Sequence, residues 1–150
     1  KMIEIARPKI ADYDGAITAQ LMDVHEMSFP DEHFDQVFTS CTFCSVPRPV
    51  DGLKALYRVM KPGGWGILQI PLFHPLPERT YEDFSITEPA AREKAFGQSD
   101  HVRLYGSDYT DRLGAAGFEA IEVKPTDRLT KTKILRNALP EDEPIFLVRK

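Results

Sequence analysis

Between Phe34 and Ile70 the apolar positions change period twice. Phe34–Thr39 is a short run rich in apolar and β-branched residues behind an acidic turn (Pro30, Asp31, Glu32), the pattern of a buried strand. Val50, Leu53, Leu56, Tyr57 and Met60 then recur at helical spacing, and Pro49 sits where a first helical turn tolerates a missing N–H. Lys61-Pro62-Gly63-Gly64 stops that helix, because proline cannot continue it and glycine permits a left-handed reversal. Trp65–Ile70 is strand-like again. Strand, crossover helix and strand predict a right-handed βαβ unit in a parallel sheet.

The flanks read less regularly. Lys1–Ala6, apolar at Met2, Ile3 and Ile5, fits a short strand that Pro8 closes; Asp12, Asp14 and Gly15 carry turn chemistry; Ile17–Met22 fits a further strand ending at Asp23. After Ile70 comes an insertion, residues 72–100. Pro71, Pro75 and Pro77 keep its start extended, Thr80–Phe84 is a loop with aromatic weight, and Thr87 caps a short helix with Pro89 in its first turn, closed by Gly97. His101–Tyr105 alternates polar and apolar residues and leads into a helix capped by Ser107, with Tyr109, Leu113 and Ala116 as its apolar stripe and Gly117 as its stop. Phe118–Val123 and Ile145–Val148 are strand-like. A basic stretch (Arg128, Lys131, Lys133, Arg136) and an acidic one (Glu141, Asp142, Glu143) separate them.

Composition narrows the class. A chain of 150 residues that is 42% apolar makes one domain with a real core. The net charge of -4, with both signs interspersed, gives no basic block for nucleic acid, and the basic stretch lacks interleaved aromatic residues. No apolar run approaches membrane-spanning length. Two cysteines are too few for a disulfide framework, so the expected setting is cytoplasmic and reducing.

Phe34-Asp35-x-Val37, followed by a helix ending Leu56-Tyr57-Arg58-Val59-Met60-Lys61-Pro62-Gly63-Gly64, resembles the class I S-adenosylmethionine-dependent methyltransferases. Asp23-Val24-His25-Glu26-Met27-Ser28-Phe29-Pro30-Asp31 is similar to the acidic loop of their type 11 branch, and Phe96–Gly106 resembles a subgroup of bacterial methyltransferase-like proteins. The resemblance covers roughly Asp23 to Val123. It implies a Rossmann-like three-layer α/β domain, with a mostly parallel sheet closed by an antiparallel strand pair, incomplete at its amino end. It implies S-adenosylmethionine as cofactor and methyl transfer to a small-molecule or surface acceptor. Asp23 would accept a hydrogen bond from the adenine amino group, the Val24 backbone would contact the ring, and Ser40 and Cys41 would line the crevice. The family's glycine-rich loop has no counterpart before Asp23, where Gly15 is the only glycine. Either the chain starts at the second strand, with Glu4 as the acid for the ribose hydroxyls, or Met2–Ala6 is a degenerate first strand. The missing loop keeps a second reading open, a non-catalytic methyltransferase-like binding domain.

The alternative for Asp23 is a helix or turn cap, and for His25 a solvated loop histidine. Cys41-x-x-Cys44 lacks the helix start that would activate a thiol, because Pro47 and Pro49 follow, and it lacks two further zinc ligands; the pair reads as loop packing, with no metal. His101, Arg103 and Tyr105 share one face of an extended segment. They would bind an anionic or phenolic substrate, or else form a latch in which Arg103 pairs with Glu82 or Asp83 and His101 bonds to backbone. The insertion reads as a lid or substrate wall, or as a homodimer contact.

Overall fold

A computed structural model describes residues 2–141 and 143–150; Lys1 and Asp142, the latter within the acidic stretch, lie outside the described residues. The expected βαβ unit is present: β1 (Phe34–Ser40), α2 (Pro49–Val59) and β2 (Met60–Gln69), preceded by α1 (Met2–Ala11). β1 and β2 run parallel, in register from Gln36 opposite Trp65 to Ser40 opposite Gln69. The Lys61–Gly64 turn differs in placement. The helix ends at Val59, Met60 already pairs with Phe34, and Lys61–Gly64 bulges out within β2, with Gly63 at a φ of 76°.

The insertion and the tail add β3 (Tyr81–Glu82), α3 (Pro89–Phe96), β4 (Arg103–Leu104), α4 (Tyr109–Ala115), β5 (Glu119–Val123), α5 (Pro125–Arg128), α6 (Lys131–Arg136) and β6 (Ile145–Arg149). The main sheet has the order β1-β2-β6-β5, with β6 antiparallel to both neighbours, so three strands share one direction and the expected antiparallel pair closes the sheet. β3 and β4 form a separate antiparallel ribbon.

Val37, Gly66, Val148 and Ala120 make one row across the sheet. Their face meets α2 and α4, where Leu53, Leu56, Met60, Leu68, Tyr109, Leu113, Phe146 and Val148 form the core. Removing a leucine such as Leu53, which is fully buried, would cost about 2–5 kcal/mol. Phe38, Ile67, Leu147 and Ile121 make the alternate row. Phe38 and Ile121 are exposed, and Trp65, on the same face, packs edge-on against Phe38 with ring centroids 5.5 Å apart.

Several expectations are corrected. Met2–Ala11 is a helix that runs through Pro8, with Glu4 in its first turn and Lys9 in its last, the charge order that suits the helix dipole. Residues 17–22 form no strand. Thr87 does not cap α3, whose cap position is Glu88; Gly97 does close that helix, at a φ of 84°. Ser107 does not cap α4 either. The cap position is Asp108, and the Ser107 hydroxyl instead donates to the Glu78 carbonyl at 3.0 Å.

Candidate functional site

The loop before β1 is fastened to α2 by charge-assisted hydrogen bonds. Arg58, in the last turn of α2, donates to the carbonyls of Met27 (2.7 Å) and Phe29 (2.9 Å) and to Asp31 (2.6 Å). One guanidinium thereby organises five residues of irregular chain. Upstream of this staple, Val24–Glu26 forms a 3-10 turn packed on α2. Gly52 permits that approach: a Cβ there would stand 3.0 Å from the Phe43 ring and 3.1 Å from a Val24 methyl. Val24 therefore lies beside Phe43 of the loop that follows β1.

Asp23 reaches this place by a different route from the one expected. With no strand over 17–22, it is not a strand end. It caps the 3-10 turn, its Oδ1 accepting from the backbone N–H of His25 at 2.8 Å. That bond, followed by the bond from the His25 ring, holds its carboxyl below the ordinary carboxylate range, so it is an anion at neutral pH. His25 is not solvated: its side chain is 10% exposed and bonded at both ring nitrogens. Glu4 lies in α1, so the strand-end position that suggested a ribose contact does not exist.

Ser40 is the last residue of β1, and Cys41 turns the chain away from the sheet with a φ of 53°, its N–H held by the Gln69 carbonyl at 3.2 Å. Cys41 is exposed and Cys44 buried, the Cys44 thiol donating to the Cys41 carbonyl at 2.9 Å. Burial pushes the Cys44 thiol up, away from the thiolate that redox or metal chemistry needs. Among the described residues no cluster of His, Cys, Asp and Glu could hold a metal ion.

His101, Arg103 and Tyr105 do share a face, and it is turned inward: all three are buried. Arg103 donates to Glu82 at 2.5 Å, to the Pro47 carbonyl at 3.3 Å and to the Phe43 carbonyl, which also accepts from the Tyr105 hydroxyl at 3.0 Å. His101 Nδ1 lies 3.3 Å from the Phe96 carbonyl. Of the two acids considered for Arg103, Glu82 is the partner, while Asp83 accepts from Ser85. Arg112 of α4, which no sequence pattern marks, grips both oxygens of Glu82 at 3.2 and 3.1 Å. Burial alone would raise the Glu82 carboxyl, but the bonds from Arg112 and Arg103 outweigh it and the net shift is downward. Beside this carboxylate opens a cleft of about 280 Å³ lined by Pro47, Arg48, Glu82, Phe84 and Arg112.

These residues fit one end of S-adenosylmethionine. Asp23 uses Oδ1 internally, while Oδ2 has no hydrogen-bond partner among the described residues and can accept from an amino group. For the methionine end, no glycine-lined backbone cradle is found among the described residues before Asp23.

A family model described as a methyltransferase domain, type 11, matches residues 1–68. The chain is 31% identical over 121 residues to a demethylmenaquinone methyltransferase of Geobacillus stearothermophilus, covering 67% of this chain and 48% of that protein. It is 32% identical over 137 residues to a ubiquinone/menaquinone biosynthesis C-methyltransferase of Azotobacter vinelandii, covering 80% of this chain and 53% of that protein. The chain thus spans about half the length of the curated relatives it matches. Among solved structures, an S-adenosylmethionine-dependent methyltransferase of Mesorhizobium loti superposes over 96% of this chain and 73% of its own, with a TM-score of 0.59 at 21% identity. One from Aquifex aeolicus covers 98% of this chain and 61% of its own, with a TM-score of 0.57 at 16% identity, a likeness of fold. In sequence the chain is similar to methyltransferases over the spans given, and its fold is that of the S-adenosylmethionine-dependent methyltransferases.

Proposed function

We propose that the protein to which this chain belongs transfers a methyl group from S-adenosylmethionine to a small-molecule acceptor, and that this chain supplies the adenine side of the cofactor site and the wall of the acceptor crevice. The observation that carries the reading is the Asp23 carboxylate: ionised, fixed through Oδ1, open at Oδ2, and next in sequence to Val24, which lies beside Phe43 of the loop that leaves β1. In an open α/β sheet that loop edge is where ligands bind. Methyl transfer asks mainly that the methyl donor and the acceptor be held in line, so it requires no acid–base residue from this chain.

In this reading Val24 contacts the adenine ring through its backbone, and Ser40 and Cys41 border the crevice. His101, Arg103 and Tyr105 act as a latch, since their polar atoms are committed to Phe96, Phe43, Pro47 and Glu82. The latch holds the insertion over the crevice as a wall, and the acceptor meets that wall at the cleft beside Glu82. The quinone precursors in the relatives' names make a ring carbon the first acceptor to try.

The test is calorimetry of the intact protein with S-adenosylhomocysteine, followed by a methyl-transfer assay on a demethylated quinone. Micromolar binding and turnover are expected. Binding without turnover on any acceptor would favour the binding-domain reading, and absence of binding would overturn the proposal.

A further inference from the structure

His25 has a hydrogen-bond acceptor on each side of its ring. Nδ1 lies 2.7 Å from Asp23 Oδ1, and Nε2 lies 3.1 Å from the main-chain carbonyl of Arg48. Neither partner carries a hydrogen to give: one is a carboxylate, the other a peptide oxygen. A neutral imidazole has one N–H, so either tautomer sets a nitrogen lone pair against one of these oxygens. Both contacts are bonds only when both ring nitrogens carry hydrogen. With the side chain 10% exposed, water is not free to replace a lost partner.

The two partners belong to different pieces of the site. Asp23 caps the 3-10 turn; Arg48 is the residue before α2, and its carbonyl also accepts the first helical bond, from Gly52 N–H at 3.2 Å. The ring therefore spans from the cap to the start of the helix. It also fills Oδ1 of Asp23, already bonded to the His25 backbone N–H, which leaves Oδ2 without a hydrogen bond among the described residues.

We propose that His25 is a positioning residue, an imidazolium clip that aims Asp23 at the adenine amino group and makes cofactor affinity fall as pH rises. The proposal rests on the reading that Asp23 meets adenine. The charged groups around the ring set its sign. On its own turn, Asp23 attracts the imidazolium and Glu26 lies next in sequence; from the start of α2, the Arg48 cation opposes it but is itself paired with Asp51 at 3.2 Å. The loop after β1 brings the uncharged Phe43 ring to the point where Val24 meets Gly52. Raising the pH removes one ring proton and with it one of the two bonds, so the cap and the helix start lose their tie and Asp23 gains freedom to turn.

Two measurements on the intact protein test this. Nitrogen NMR of 15N-histidine-labelled protein at about pH 6.5 should show His25 with both ring nitrogens protonated; a neutral tautomer there would overturn the clip. Calorimetry with S-adenosylhomocysteine from about pH 5.5 to about pH 9, the span over which histidines change charge, should show affinity falling about three- to tenfold as His25 loses its proton. His25→Phe, which keeps the ring volume, should bind more weakly at the lower pH and lose the pH dependence. His25→Gln, which keeps one donor, should recover part of the affinity with no pH dependence. A pH-independent wild type in a protein where Asp23→Ala does weaken binding would overturn the clip alone. Normal binding by Asp23→Ala would overturn the adenine reading of Asp23, and the clip with it.

Discussion

Replacing Arg103 by lysine separates a latch from a substrate site, because it keeps the charge and removes the planar fork. The guanidinium has three directed partners, Glu82 and the carbonyls of Phe43 and Pro47, and its side chain is fully buried. A lysine ammonium in the same buried position that stays with Glu82 cannot also reach the carbonyls of Phe43 and Pro47. Two bonds from a charged donor are therefore lost. At roughly 1.5–3 kcal/mol each, less what relaxation and water recover, the cost is about 3 kcal/mol. For a domain of this length that lowers the melting temperature by about 10 °C. Had Arg103 been at the surface the cost would be about 0–1 kcal/mol, too small to notice. Differential scanning calorimetry gives the magnitude and amide exchange gives the place, with faster exchange expected across 80–96 and in the loop at 43–47. A melting temperature within about 2 °C of wild type, combined with lost turnover on an acceptor that wild type methylates, would refute the latch and return Arg103 to substrate binding.

Asp23→Ala should weaken S-adenosylhomocysteine about tenfold by calorimetry and cost about 0.5–2 kcal/mol of stability, since the carboxylate also caps the 3-10 turn and bonds the His25 ring. Gly106→Ala should destabilise the protein by about 1–3 kcal/mol in urea unfolding, because its Cβ would stand 2.6 Å from the backbone carbon of Arg79 and 2.7 Å from the Pro77 carbonyl, forcing the insertion off the start of α4. Glu82 is a carboxylate whose folded-state pKa is depressed, so the stability it contributes is complete above its unfolded value near 4.5 and is lost as pH falls below that. A Glu82→Gln variant should show a shallower acid limb in a pH series of thermal melts.

The hydrophobic pattern was enough to read β1, α2, β2, β5 and β6, because each is a local period set by one dominant core. It misread the amino end, and the reasons are physical. Met2, Ile3 and Ile5 suit a strand or a helix equally, and a strand also needs a neighbour to bond with, which no local pattern reveals; residues 17–22 have no such neighbour here. Ser107 and Thr87 are good caps by composition, yet the Ser107 hydroxyl was drawn off by a carbonyl 29 residues away. At the site, Arg103 and its acid were legible as a charge pair. What makes them a latch was not, because two of the three partners of Arg103 are main-chain carbonyls brought in by folding. His25 was misjudged for the same reason: a lone loop histidine carries no sequence mark of the carbonyl 23 residues on that holds its far side.

The sheet face that carries Phe38, Ile67, Leu147 and Ile121 matters to anyone handling these 150 residues by themselves. β1 is an edge strand whose outer N–H and C=O groups meet no ladder among the described residues, and directly behind it stands an aromatic pair on open ground. An unguarded edge next to an apolar plane is the recipe for intermolecular strand pairing. Solubility, not folding free energy, would then set the yield of the recombinant chain, with recovery falling as concentration rises. A lysine in place of Phe38 would improve recovery without touching the core, since that side chain points to the side away from α2 and α4.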